Sequence, residues 1–310
     1  MDGIINIYKE KGYTSHDVVA KLRGILKTKK IGHTGTLDPD AEGVLPVCVG
    51  RATKVCDMLT EKNKIYRTVL LLGKSTDTQD ISGKILEENE LPENLDEEAV
   101  RNVIMEFVGE YMQIPPMYSA LKVNGKKLYE LARQGVEVER KARPVTILDI
   151  NIEKIELPRI TMAVTCSKGT YIRTLCHDIG QKLGTGGCME NLLRLESGIF
   201  NVHDSVKLSD VQKYMDENTI DNILIPIDKL FMNYASCKVK KKYNILIYNG
   251  NKFAEDNILN KVSPKDGEHF RIYDEDGNFV GIYKYDMSET MFIPVKMFLA
   301  GGCYGGNKRN

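Results

Sequence analysis

The chain of 310 residues contains no tryptophan, so any stacking on a planar ligand falls to tyrosine, phenylalanine, histidine or arginine. No two of its seven cysteines (48, 56, 166, 176, 188, 237, 303) form a C-x-x-C pair, and the count is odd. That argues against both a disulfide framework and a zinc ribbon, and suits small buried thiols of a reducing, cytoplasmic protein. No apolar run approaches the ~20 residues of a membrane span. The start, Met1-Asp2-Gly3-Ile4-Ile5-Asn6, lacks the basic-then-apolar pattern of a secretory signal. There is no glycine motif for a phosphate and no metal-ligand spacing, so no cofactor and no metal are expected. Excess charge is absent too: 43 Lys+Arg balance 43 Asp+Glu. Nucleic-acid proteins are more often basic, but distribution matters more than the sum.

The distribution is uneven. Residues 87–98 hold seven acids and no base, which reads as a solvated loop and helix start. Lys27, Lys29 and Lys30 form one basic cluster, and Lys238, Lys240, Lys241 and Lys242 another. Without the acidic segment the remainder is net basic.

With 42% hydrophobic residues the chain can bury a full core, and its length suggests one large unit plus a smaller one. Residues 4–8 read as a strand. Thr14 and Asp17 resemble a capping box, opening a helix with Val18, Leu22 and Ile25 on one face. Residues 44–49 read as a strand that Pro46 assigns to an edge or bulge. Residues 52–59, 96–107, 127–134 and 170–183 read as helices, the last two closed by Gly135 and Gly184. Residues 66–72, 145–155 and 160–166 read as strands, the latter two as antiparallel neighbours across Pro158. Regular β-α-β alternation is missing. The fold class is therefore α+β with a mixed, mainly antiparallel sheet. Composition shifts near residue 230, and Asp276-Gly277 signals a hairpin. The expected division is a catalytic unit over 1–230 and a small β unit over 231–310, with a disordered tail from Gly301 to Asn310.

The most informative stretch runs from Gly32 to Pro46: G-H-T-G-T-L-D-P-D-A-E-G-V-L-P. Pro39 biases Asp38 away from helix, and the glycines permit turns and close approach of another molecule. A single carboxylate held this way can serve as nucleophile or base. Three further segments stand out: Ile65-Tyr66-Arg67 with the run Ser75 to Gly83; Gln113 to Gly135; and Cys166 to Gly180. Ser119 lacks the G-x-S-x-G context of a nucleophile. Arg173 falls in the first turn of a helix, where the dipole disfavours a cation, so an anionic partner is expected.

Together these segments closely resemble the TruB family of pseudouridine synthases, across roughly residues 3–200. The tail of the chain, with Asp276 to Tyr283 and Ile293 to Phe298, resembles that family's small PUA-like β-barrel, an RNA-contacting module. The resemblance implies formation of pseudouridine in the T-loop of tRNA, position 55, by a stand-alone monomer. It assigns Asp38 as nucleophile, Arg173 as its partner, and Tyr66 as the residue stacked on the extruded uracil, assisting proton removal at C5. His33 would fill the space the base vacates. Lys9, Gly35, Thr36, Leu37, Lys168, Tyr171 and Leu193 complete the expected substrate contacts, with Tyr171 and Leu193 lining the base pocket. Two departures occur: Lys9-Glu10-Lys11-Gly12 replaces Lys-Pro-x-Gly, and Met189 stands where the family more often has a ring. Competing readings are a guide-RNA-dependent relative, a non-catalytic tRNA-binding or folding protein, and a glycosidase, which would need two paired carboxylates.

Overall fold

The computed structural model describes residues 1–123 and 125–299. The expected disorder of residues 301–310 falls outside them. A nine-stranded sheet dominates. Across it run Gly3–Lys9, Glu42–Val49, Gly187–Ser197, Lys64–Leu72, Arg159–Cys166, Arg143–Glu156 and Gly109–Gln113, in that order. Phe200–Asn201 and Ile31–His33 pair alongside. All pairings are antiparallel except Glu42–Val49 with Gly187–Ser197. The α+β expectation holds, with the mixed, mainly antiparallel sheet.

Local chemistry explains the boundaries. The Thr14 hydroxyl accepts the Asp17 N–H at 3.0 Å while the Asp17 carboxylate takes the Thr14 N–H at 2.8 Å, which starts the helix Ser15–Ile25. Asp96 caps Glu97–Met105 through the Ala99 N–H. Residues 145–166 form the expected hairpin across Pro158. Residues 52–59 fold as a 3-10 turn, Gly50–Val55, running into the short helix Cys56–Thr60.

Pro46 corrects one expectation. Its strand is interior, with Gly3–Lys9 along one side and short pairings to Ile31–His33 and Gly187–Ser197 on the other. The Pro46 carbonyl accepts the Thr34 N–H at 3.2 Å, so the ring nitrogen faces that same side. There the flanking ladder has already ended at His33, and no pairing is lost to the missing N–H.

Three apolar cores sit around this sheet. Leu70, Ile160, Met162, Leu175 and Ile179 fill one, under the helix Ile172–Lys182. Ile5, Ile7, Leu45 and Val47 meet Val18, Leu22 and Val211 in another. The third joins Ile4, Val44 and Cys48 to Phe231, Ile282 and Phe298. It therefore ties the nine-stranded sheet to the C-terminal unit, a five-stranded sheet around Phe253, Phe270, Tyr283 and Phe292. The Asp276-Gly277 hairpin is present, with Gly277 at φ +89°.

Candidate active site

The loop after His33 is fastened at several points. Thr34 is fully buried, and both its N–H and its hydroxyl reach the Pro46 carbonyl. Leu37 is buried, its N–H donating to Ser15 Oγ at 2.9 Å. The Gly12 N–H takes the Pro39 carbonyl at 2.9 Å, and the Ala41 N–H takes that of Asp38 at 3.1 Å. Gly43 cannot be replaced: φ is +103°, and a Cβ would lie 2.2 Å from the Arg194 carbonyl. Thr36 stays exposed at the loop's tip, beside half-buried Gly35.

Lys9 departs from its expected role as a substrate contact. Its side chain has no exposed surface, and its ammonium donates to the carbonyls of Ala41 (2.6 Å), Pro39 (3.1 Å) and Glu10 (3.2 Å). It staples the loop from inside. Burial lowers its pKa to about 8, against the pull of Glu42, Asp38 and Asp40. The folded state thus binds this proton less tightly than the unfolded chain, whose lysine titrates near 10.5. The resulting cost is fully present below pH 8 and is relieved as pH rises from 8 towards 10.5. The expected outcome in thermal melts is that Lys9→Met flattens part of a stability rise across that window. An identical pH profile in the variant would contradict the assignment.

The loop presents Asp38 to Arg173. The Arg173 Nε lies 2.9 Å from Asp38 Oδ2, and Nη2 donates to Oδ1 at 3.3 Å. This two-point fork answers the cation placed against the dipole of the helix Ile172–Lys182. Arg173 is itself fixed: Nη2 also donates to the Tyr118 carbonyl at 2.8 Å and Nη1 to the Thr78 carbonyl at 3.0 Å. Asp80 stands 3.7 Å from Nη1. The arginine side chain is 5% exposed, whereas that of Asp38 is 39% exposed. The cation is therefore the buried anchor, and the carboxylate is the partly exposed partner. Although that much surface stays open, desolvation is the largest influence on Asp38 and raises its pKa, with Asp80 pushing the same way. Arg173 and Lys9 oppose them.

Tyr66 sits in the central strand Lys64–Leu72, 9% exposed and packed with Leu37, Ile172 and Leu192. The Asp38 charge acts on its hydroxyl. Tyr171 immediately precedes the helix, its backbone clasped on both sides by the Gln113 side chain. Its hydroxyl also feels Arg173 and Asp38. His33 is half-buried, edge-on to His16 with ring centroids 5.5 Å apart. Burial, then the charges of His16 and Arg194, lower its pKa, which favours the neutral ring. Its Nδ1 accepts the Gly35 N–H at 3.3 Å.

Two expected contacts stand apart from the Asp38–Arg173 pair. Lys168 is on the surface, paired with Glu61. Leu193 opposes Arg67, whereas Tyr66 opposes Arg194 and Thr68 opposes Leu192. Successive strand residues face opposite ways, so Leu192 shares the Tyr66 face and Leu193 does not. Leu192, buried, is the leucine on the Tyr66 side of this strand. Asp80, Thr78 and Tyr118 were also missed as supports for Arg173. Their segments stood out in the sequence, but Thr78 and Tyr118 act through backbone carbonyls, which leave no side-chain signature, and Asp80 is brought near only by the fold.

The structure thus brings together an arginine-anchored, partly exposed carboxylate and a buried tyrosine on which its charge acts. The pattern of the TruB family pseudouridylate synthase N-terminal domain matches residues 23–172, and that of the tRNA pseudouridylate synthase B C-terminal domain matches residues 173–232. The tRNA pseudouridine synthase B of Lachnoclostridium phytofermentans is 53% identical over 309 residues, covering 96% of this chain and all of that one. That of Clostridium kluyveri is 50% identical over 299 residues, with the same coverage. Among solved structures, an H/ACA RNP bound to a substrate RNA containing 2′-deoxyuridine superposes with a TM-score of 0.70 at 25% identity. The match covers 96% of this chain and 85% of that one. A Cbf5-Nop10-Gar1 complex gives a TM-score of 0.70 at 28% identity, with the same coverage. The chain belongs to the TruB family of pseudouridylate synthases, which are isomerases.

Proposed function

We propose that this chain is a stand-alone tRNA pseudouridine synthase that isomerises uridine 55 in the T-loop. The observation that carries the reading is the Asp38–Arg173 pair, its carboxylate partly exposed and its charge acting on Tyr66. Relatives named tRNA pseudouridine synthase B, matched along their whole length, support the tRNA substrate. Their full-length match favours a self-sufficient enzyme over a guide-RNA-dependent one.

Pseudouridine formation breaks the N1–C1′ bond, turns the uracil and rejoins it through C5. Atoms and electrons balance within the substrate, so the chemistry calls for no redox partner or phosphate donor. Asp38 serves as nucleophile, kept ionised and aimed by Arg173. Tyr66 stacks on the flipped uracil and takes the C5 proton. Leu192 and Tyr171 line its pocket, and neutral His33 enters the gap left in the loop. Flipping costs a few kcal/mol, offset by contacts to splayed bases. Thr36 and Gly35 meet the RNA at the loop's tip, and Lys168 meets a phosphate by exchanging Glu61 for it. A cytoplasmic monomer fits this task. Among the described residues no helix is long and apolar enough to cross a membrane.

The C-terminal unit, proposed from about residue 231, extends the RNA contact through Lys238, Lys240, Lys241 and Lys242. Because it shares a core with the catalytic sheet, charge removal is a cleaner probe than truncation. Replacing all four by Gln should weaken binding of full-length tRNA and flatten the fall of affinity with salt. Turnover on an isolated T-arm stem-loop should hardly change. Equal losses on both RNAs would place the cluster's contact within the T-arm. The same stem-loop tests the target: conversion should occur at its uridine 55 and vanish when cytidine replaces it. Conversion at another uridine, or only with a guide RNA, would contradict the proposal.

A further inference from the structure

Arg194 is a buried cation that the proposed chemistry has not yet used. Only 1% of it is exposed. Its Nε donates to the Val44 carbonyl at 2.6 Å and Nη2 to the Gly35 carbonyl at 3.4 Å, both neutral oxygens. Two further buried cations, Lys9 and Lys64, act on it with like charge. A desolvated charge in such company is costly. Local conflicts of this kind concentrate at functional sites.

The residue it faces gives the reason. Arg194 is the cross-strand partner of Tyr66, and directly opposed residues project to one face. The guanidinium charge acts on the Tyr66 hydroxyl from across the strand pair. We infer that Arg194 is a positioning residue for Tyr66: clamped by the Val44 and Gly35 carbonyls, it orients the phenol and holds a fixed positive charge beside it while the C5 proton is removed.

The inference rests on the reading of Tyr66 given above. In the final step Tyr66 enters as phenolate, its own proton having passed to water. The C5–H bond breaks and its proton bonds to the phenolate oxygen; the released pair forms C5=C6, the C6=N1 pair passes to N1, and N1 takes up a proton from water. Burial and the Asp38 charge both oppose that phenolate, and Arg194 is the group that favours it. The same clamp links Tyr66 to Gly35, three residues from the nucleophile, so tyrosine and carboxylate loop share one anchor.

The test is single-turnover conversion of a tRNA transcript carrying either uridine or 5-deuterouridine at the target. Wild type, Arg194→Lys and Arg194→Gln are compared. Arg194→Gln should slow conversion on the order of a hundredfold, and Arg194→Lys should recover part of the loss. The deuterium effect should rise in both variants as C5–H cleavage becomes limiting. Affinity for tRNA should fall far less than the rate, since Arg194 bears on the RNA only through the Gly35 carbonyl. Equal losses in both variants with an unchanged deuterium effect would overturn the inference and leave Arg194 as scaffold. Arg194→Lys keeps the charge and a donor for the carbonyls, so it reports even where Arg194→Gln does not fold. Absence of pseudouridine from the wild-type protein would instead overturn the functional reading, which keeps the two failures distinct.

Discussion

Asp38→Asn should abolish pseudouridine formation, with a loss on the order of 10⁴-fold or more, while tRNA still binds. The change is nearly isosteric and removes only the charge and the nucleophile. Removing one member of a buried pair commonly costs about 3–5 kcal/mol, because the other charge is stranded. Here the penalty should be smaller. Arg173 keeps the carbonyls of Thr78 and Tyr118, and Asp80 remains 3.7 Å away. The fold should therefore survive, which can be checked by thermal melting beside the rate measurement. In the wild type, the acid limb of the pH–rate profile should sit above the ordinary aspartate value, because the Asp38 pKa is raised. The rate should rise as pH climbs through that limb. Appreciable turnover by Asp38→Asn would remove Asp38 from the nucleophile's role.

Arg173→Lys should cost roughly 10²–10³-fold in rate, despite keeping the charge. Lysine cannot span Asp38 Oδ2, Oδ1 and the carbonyls of Thr78 and Tyr118 at once, as the planar guanidinium does. One or more of those oxygens would lose its partner, and Asp38 would lose its aim. The loss should fall on the single-turnover rate, with tRNA affinity little changed. Unaltered single-turnover kinetics would show that Arg173 is not part of the reacting assembly.

Much of this site was legible in the sequence because its members advertise themselves. Asp38 precedes a proline in a glycine-rich loop, and Arg173 sits where a helix dipole disfavours it. The fold class followed from periodicity and turn residues. The strand Gly187–Ser197 was harder to see. Its pairing with Lys64–Leu72 shifts register between Met189 and Asn191 and again between Arg194 and Glu196, so its residues do not alternate cleanly along its length. That irregularity also hid the face of Leu192 and put Leu193 in its place. Lys9 misled for a different reason. A lysine near a catalytic loop suggests phosphate, but only the structure shows its ammonium turned onto backbone carbonyls. Pro46 shows the same limit, since an interior strand tolerates proline where its neighbour ends.

The most direct test of the central claim is to mix the purified protein alone with an unmodified tRNA transcript. Pseudouridine is then mapped by carbodiimide-dependent stops in reverse transcription. The account predicts one new stop, at position 55 in the T-loop, formed without guide RNA, metal or nucleotide and absent with Asp38→Asn. A stop at another position, or none until a guide RNA is added, would contradict it.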